Sequence, residues 1–483
     1  MSKFLANVIK LSSATMLGQI IGFIVTPVLS RLYSPADFGI YSLFISLVTL
    51  IAVNSCFSYH GAINLPKKHE DGASIVMLCL FLLTITSIVT TIIFFGFSGF
   101  IGNILNSPGL SSYLFLIPLA ILCNGVAFIL TGWLSRKEEF GTIATANFTS
   151  SISGKGVSVG SGMLSPSPLG LIFGTIINDA TIVIIVVRRT IADFHFFQNV
   201  SLKRIKEVAY RYKNFPQYNA IASIASTVNL SITPFFLALF FSPTIVGFYA
   251  MAHLVINVPL RLISNSIGSV FFQKACVEKN LTGSVKNIVK TVHTRLISLG
   301  MFASLVIMVI GPELFTVFLG AKWSTAGVYA QIFIPWFFVV FISVPLFTIY
   351  SVLELQNLNM RFNIVLLISR IVVLVIGGFI GDPLTVMVLF SGTGVFWWSG
   401  MNLYTLKIAG VEVRGAILEI VRYLLFGLLL CLPLIIAKYF SISSTMLILI
   451  AIVVSVIYYS IIVYRDTLLK QGLLNILAKV RSK

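Results

Sequence analysis

Residues Leu32 to Phe44 read LYSPADFGIYSLF and residues Phe240 to Ala252 read FFSPTIVGFYAMA; one offset of 208 superposes Ser34 on Ser242, Pro35 on Pro243, Gly39 on Gly247 and Tyr41 on Tyr249. In each copy a serine before a proline supplies an N-cap followed by N1, where the missing N–H of proline leaves nothing unsatisfied, so a helix begins there. The helices before these turns match more loosely, with Thr26-Pro27 against Thr233-Pro234 one residue out of register. A chain that repeats its helical plan reads as a two-lobed bundle. Duplicated bundles packed about a shared midline are how many transporters form one alternating cavity.

Composition places the bundle in lipid. At 57% hydrophobic, 10% charged and a mean hydropathy of +1.00, 483 residues offer too little polar surface to cover a soluble globule. The net charge of +18 does not point to nucleic acid, which needs a basic face on a groove-reading module. Here the basic residues lie between long apolar runs, the pattern set by retention of Lys and Arg on the cytoplasmic side. The five cysteines show no paired spacing and suggest neither a disulfide framework nor a metal site. Lys3 and Lys10 precede an apolar run of about 20 residues, the length that crosses the hydrocarbon. That run ends in Arg31 without a small-residue cleavage site, so it reads as a retained first helix.

Apolar stretches of spanning length predict an all-α polytopic protein with about fourteen transmembrane helices. They cover approximately 11–30, 38–58, 75–98, 111–134, 142–163 and 169–187, then 216–240, 244–270, 294–319, 327–352, 362–380 and 384–405, then 418–438 and 443–464. The expected organisation is an N-lobe over 1–190, a basic amphipathic cytoplasmic linker over 191–215, a pseudo-symmetric C-lobe over 216–410, two further helices over 411–464 and a basic amphipathic tail over 465–483. With the N-terminus inside, the cytoplasmic segments hold 26 basic residues against Arg31, Lys322 and Lys438 outside, which places both termini in the cytoplasm. In the linker Leu202, Ile205, Ala209 and Tyr212 share one helical face opposite Lys203, Arg204, Lys206, Arg211 and Lys213; in the tail Leu469, Leu473, Ile476, Leu477 and Val480 oppose Lys470, Lys479 and Arg481. Such helices lie on an anionic leaflet or serve as plain surface helices.

The segment LSRLYSPADFGIYSLF (Leu29–Phe44) with GAINLPKK (Gly61–Lys68) resembles the opening of bacterial polysaccharide flippases, in the superfamily that also holds multidrug extruders and peptidoglycan-precursor flippases. The basic linker before Asn214-Phe215-Pro216, the second Ser-Pro element and the two extra C-terminal helices extend the resemblance over most of the chain. It implies an inner-membrane translocase for an undecaprenyl-pyrophosphate-linked oligosaccharide, an O-antigen or capsule repeat unit, moved by alternating opening of two six-helix lobes. Membrane lipids and polysaccharide assembly proteins are the implied partners, and no cofactor is implied.

Charges inside the spans are the best site candidates, because each costs about 2.5–3.5 kcal/mol at the bilayer centre and is expected to face protein or a wet cavity. Measured from the turn at Ser165–Pro168, Lys155 and Asp179 lie almost equally deep, so a helical hairpin lets them pair, either as a structural ion pair or as a proton- or cation-sensitive couple. Gly154, Gly156, Gly160 and Gly162, with Ser151, Ser153, Ser158 and Ser161, suit that helix to close packing rather than to lipid. Arg261 and Arg370 fall in the cytoplasmic half of the second lobe, placed to take a pyrophosphate on their planar donor forks or to snorkel locally. Arg31, Asp37 and Glu313 are expected as ordinary anchors near the outer ends. Lys155, Arg261 and Arg370 against Asp179 make the interior net positive and favour an anionic cargo.

Pro27 and Pro234 are candidate gate hinges, and Trp336, Trp397 and Trp398 are candidates for stacking on sugars. The alternatives are a multidrug or cation antiporter, which needs deep acids without compensating cations, and a membrane glycan polymerase or ligase. The longest outer loop, Gly99–Leu110, carries no His, Asp, Glu or Lys, and no nucleophile and base pair or metal cluster stands out, so no catalytic residue is assigned. No GxxxxGK[ST] phosphate loop is present, which leaves an ion gradient or the membrane potential as the energy source.

Overall fold

The computed structural model describes residues 3–465 apart from 199 and 354, and it is helical throughout the described residues. In chain order the α-helices are α1 (Lys3–Leu32), α2 (Pro35–Ala52), α3 (His69–Gly96), α4 (Ser98–Ile104), α5 (Pro108–Ser111), α6 (Ile117–Arg136), α7 (Phe140–Leu164), α8 (Pro168–Ile191), α9 (Phe194–Gln198) and α10 (Leu202–Arg211). There follow α11 (Ala220–Phe240), α12 (Pro243–Thr282), α13 (Lys286–Leu319), α14 (Ser324–Ser343), α15 (Ile349–Val352), α16 (Gln356–Ile380), α17 (Pro383–Ile408), α18 (Val413–Tyr439) and α19 (Ser444–Arg465).

Each of the fourteen expected segments coincides with a helix. Among the described residues eleven are long and apolar enough to cross a membrane, and a bent twelfth over 215–240 joins them. The two others are α1, whose described apolar run is Met16–Leu32, and α7, too rich in Gly, Ser and Thr to read as apolar. Large apolar side chains stand exposed along the helices, Ile92 at 66% and Phe81 at 63% on α3 among them, as expected for a surface solvated by acyl chains.

Other boundaries differ locally. α2 ends at Ala52 rather than near residue 58, because the chain turns through Phe57 and Ser58 at positive φ. The outer loop 99–110 is folded into α4 and α5, and α12 runs on to Thr282, taking Lys274 into the helix. The amphipathic linker helix exists as α10, but its inward face is centred on Val208, which is buried, while Leu202 is 79% exposed. That face is used by protein: Tyr59 donates its hydroxyl to the Ala209 carbonyl at 3.0 Å, and Arg204 pairs with Glu70 on α3 at 3.7 Å. The amphipathic tail lies outside the described residues.

Two compact units divide the chain: Met1–Met251 with Asn363–Pro383, and Ala252–Phe362 with Leu384–Lys483. They cut across the lobes drawn from the repeat, since the first unit takes in α11, the start of α12 and most of α16.

In the first unit the two Ser-Pro elements meet. Ser34 caps α2 with its hydroxyl on the Asp37 N–H (3.2 Å), and the Asp37 carboxylate accepts from the Ser34 N–H (2.8 Å), a closed capping box. Asp37 therefore has a defined structural partner. A Cβ on Gly39 would lie 1.7 Å from the Pro243 carbonyl oxygen, and one on Gly247 would lie 1.8 Å from that of Pro35. The two glycines of the repeat thus face each other across a reciprocal helix crossing. A second crossing joins α7 to α8, where Gly154 and Gly174 each sit against the other's carbonyl, and Tyr33 fills the space left by Gly162 and Gly170. Tyr33 then donates its hydroxyl to the Ser158 carbonyl at 2.6 Å.

The second unit is built on α13, α14, α18 and α19 around Phe302, Phe341, Leu434 and Tyr458. Gly311 and Gly327 repeat the reciprocal arrangement between α13 and α14, beside a kink at Ile310 that precedes Pro312. Lys438 on α18 pairs with Glu313 on α13 at 3.0 Å, so Glu313 ties two helices together.

Gly39→Ala and Gly247→Ala are each expected to lower stability by about 1–3 kcal/mol, the usual cost of overpacking. The double variant should lose less than the sum, because the first methyl already separates the helices. Melting of the purified protein in detergent measures both, and strict additivity would contradict the shared crossing.

Candidate functional site

The tyrosines two residues beyond the paired glycines each meet a charge buried among the spanning helices of the first unit. Tyr41 and Thr175 share a hydrogen bond of 2.9 Å, with Asp179 in electrostatic reach of the phenol. Tyr249 is hydrogen-bonded to Thr233, with Arg370 in electrostatic reach. Positions that the repeat superposes are thus matched in environment, one beside an acid and the other beside a base.

Both charges are 6–9% exposed and are held by neutral amides. Asp179 accepts from Asn124 Nδ2 and from Asn178 Nδ2, each at 3.0 Å, and Arg370 donates through Nη1 to Asn229 Oδ1 at 2.9 Å. A buried ion is costly unless its polar atoms are hydrogen-bonded; the amides serve both Asp179 oxygens and one Arg370 nitrogen. The three asparagines were not singled out from sequence, because an uncharged polar residue in an apolar run carries no periodic or charge signal.

The expected Lys155–Asp179 pair is not formed. Asp179 is bonded to α6 through Asn124 and to its own neighbour Asn178, whereas the Lys155 stem runs beside α1, where a Cβ on Gly22 would lie 3.6 Å from Lys155 Cε. Equal depth let the two meet, but rotation about the helix axes turned them to different neighbours. Lys155 is half-buried and makes no ion pair among the described residues. The glycines of its helix divide in the same way. Gly154 and Gly162 make close contacts, whereas Gly156 and Gly160 face open space.

Arg261 is exposed on α12 in the second unit, whereas Arg370 is buried in the first. Pro234 lies four residues after the break near Leu230 at which the 215–240 span bends by 46°, where a proline ring displaces the carbonyl of the preceding turn. Pro27 sits inside α1, which continues as one helix to Leu32. Trp336 is 5% exposed and packs against Phe337 and Phe390, so it belongs to the core and is closed to sugars. Trp398 stacks on Phe347 with centroids 5.2 Å apart, and Trp397 lies against Phe396. His293 is buried within α13 and hydrogen-bonded to Asn402 at 3.1 Å. Among the described residues no group of three or more His, Cys, Asp or Glu could hold a metal.

The chain is a polytopic helical bundle with charged side chains held among its spans, and solved structures share this fold. The chain is similar to the lipid II flippase MurJ in an inward closed conformation, with a TM-score of 0.73, 14% identity and coverage of 94% of this chain and 98% of that one. It is also similar to a multidrug resistance MATE family transporter of the MOP superfamily in an inward-facing conformation (TM-score 0.62, 12% identity, 84% and 98% covered). An outward-facing MATE structure matches at TM-score 0.53 and 13% identity, with 84% and 95% covered. The fold is therefore the one these solved structures share. The chain belongs to the polysaccharide biosynthesis protein family, whose model matches residues 28–327. No curated protein matches at a significant level.

Asn229→Leu is expected to lower stability by about 1–3 kcal/mol, the cost of leaving a buried donor without its acceptor, read as a lower melting temperature in detergent. An unchanged melt would show that the Arg370 guanidinium does not depend on that amide.

Proposed function

We propose that this protein translocates an undecaprenyl-pyrophosphate-linked oligosaccharide, an O-antigen or capsule repeat unit, from the inner to the outer leaflet of the bacterial inner membrane. Fourteen spans, both termini in the cytoplasm and alternating access complete the reading. The observation that carries it is the sign of charge among the spanning helices. Lys155 has no ion pair among the described residues, Arg370 is held by an amide, and the Asp179 carboxylate is bonded to two amides rather than spent on either cation. An excess of cation heads attracts a phosphorylated cargo and repels a cationic drug.

The family match supports a polysaccharide precursor as cargo. The likeness to a protein described as a lipid II flippase supports a lipid-linked one. Solved transporters of this fold in inward-facing and outward-facing conformations support alternating access.

In this mechanism Lys155, Arg261 and Arg370 are the proposed pyrophosphate-binding cations, of which Lys155 and Arg261 keep accessible surface. Guanidinium groups suit that task because they engage phosphate oxygens bidentately and stay charged. Asp179 is the proposed ion-coupling group, driven by an ion gradient or the membrane potential. The bend at Pro234, with Pro27 as its counterpart, serves as a gate.

Deletion in the host should leave a lipid-linked oligosaccharide accumulating on the cytoplasmic face. Unchanged surface glycan with reduced dye efflux would instead establish the multidrug antiporter. Lys155→Ala, Arg261→Ala and Arg370→Ala should each cut export about 10–100-fold, the worth of a hydrogen bond to a charged group, with the protein still present in the membrane. Normal export in all three would remove these cations from the site.

A further inference from the structure

The second unit holds another concentration of positive charge, on residues other than those assigned to the cargo. At the end of the bundle where α13 begins and α19 ends, a cavity of about 440 Å³ is lined by Arg295 on α13, Arg422 on α18 and Arg465 on α19, with Thr294, Tyr423 and Phe426. Arg465 is positioned by its guanidinium lying 5.7 Å from the centre of the Phe426 ring, a contact that leaves its donors able to serve an anion. Three helices thus bring three arginines to one hollow, with the hydroxyl-bearing Thr294, Ser298 and Tyr423 beside them. The neighbouring acid Glu419 takes a hydrogen bond from Thr294.

The surface next to this hollow indicates what the anion is attached to. Leu425, Leu429 and Leu432 follow Arg422 at helical spacing on one face of α18, and all three are exposed, the first two at 61%. An exposed apolar strip rising from a basic hollow matches a phosphate head with acyl chains, whereas a free phosphate has no use for it. Basic pockets between transmembrane helices at the cytoplasmic side characteristically hold lipid head groups. Under the orientation proposed above, this end is the cytoplasmic one.

We propose that this cavity is a binding site for the phosphate head group of an anionic phospholipid, its chains lying along the Leu425–Leu432 face, and that the lipid clamps α13, α18 and α19 together. The site does not depend on what the protein exports.

Native mass spectrometry of the full-length protein in detergent, titrated with phosphatidylglycerol and with phosphatidylcholine of the same acyl chains, tests the assignment. Phosphatidylglycerol should bind in preference. Arg422→Gln and Arg465→Gln should each weaken it about fivefold and together about 25-fold, from roughly 1 kcal/mol per basic residue at the membrane surface, with phosphatidylcholine binding unchanged. If the variants fail to fold, raising salt on the native protein should weaken phosphatidylglycerol binding selectively. No preference between the lipids, variants that bind as the native protein does, or salt-insensitive binding would each overturn the site. Inorganic phosphate displacing the lipid at comparable concentration would overturn the lipid as its occupant.

Discussion

Helices in lipid gain no hydrophobic benefit from packing on one another, so their association depends on how closely the backbones approach. Three reciprocal glycine crossings set that approach here: Gly39 with Gly247, Gly154 with Gly174, and Gly311 with Gly327. At each, a carbonyl of one helix occupies the space that a side chain would need on the other. The first crossing joins the two Ser-Pro elements, which explains why glycine stands in both copies of the repeat. It also brings Tyr41 and Tyr249 into the same packed unit as the charges they adjoin.

Around those crossings the protein keeps charge in lipid without cancelling it. Asp179 accepts from two asparagine amides and Arg370 donates to a third. Such hydrogen bonds reduce the desolvation cost while leaving the field of the ion in place. A transporter needs that combination, since a tight internal salt bridge would leave neither partner free to respond to a passing head group or ion. Arg295, Arg422 and Arg465 of the second unit instead line an open hollow, where the proposed lipid would supply the counter-charge.

Several features were legible before any coordinates. The Ser-Pro starts, the fourteen helical segments and the linker helix all rest on local rules of capping, span length and periodicity. The Asp37 capping box was also readable, because a serine followed three residues later by an acid has a known geometry, although Asp37 looks like a mere anchor when only its depth is considered. Depth misled more seriously for Lys155 and Asp179. Counting residues from a shared turn gives height along the bilayer normal but not rotation about the helix axis, and rotation chose α1 for one and α6 for the other. The linker helix shows the same limit: its face is centred on Val208 rather than on Leu202, because α3 and the chain before it supply the partner.

The sequence by itself determined that this is a helical membrane protein, where its helices begin, that it carries a duplicated element and that charged residues fall within its spans. Those properties follow from hydrophobic length, proline and glycine chemistry and the count of charges, all of which act within one segment. Only the tertiary structure decided which glycines touch, that asparagine amides bond Asp179 and Arg370, that Trp336 is core and that three arginines from separate helices share one hollow. Each of these depends on helix rotation and close approach between segments far apart in the chain, and no local rule specifies either.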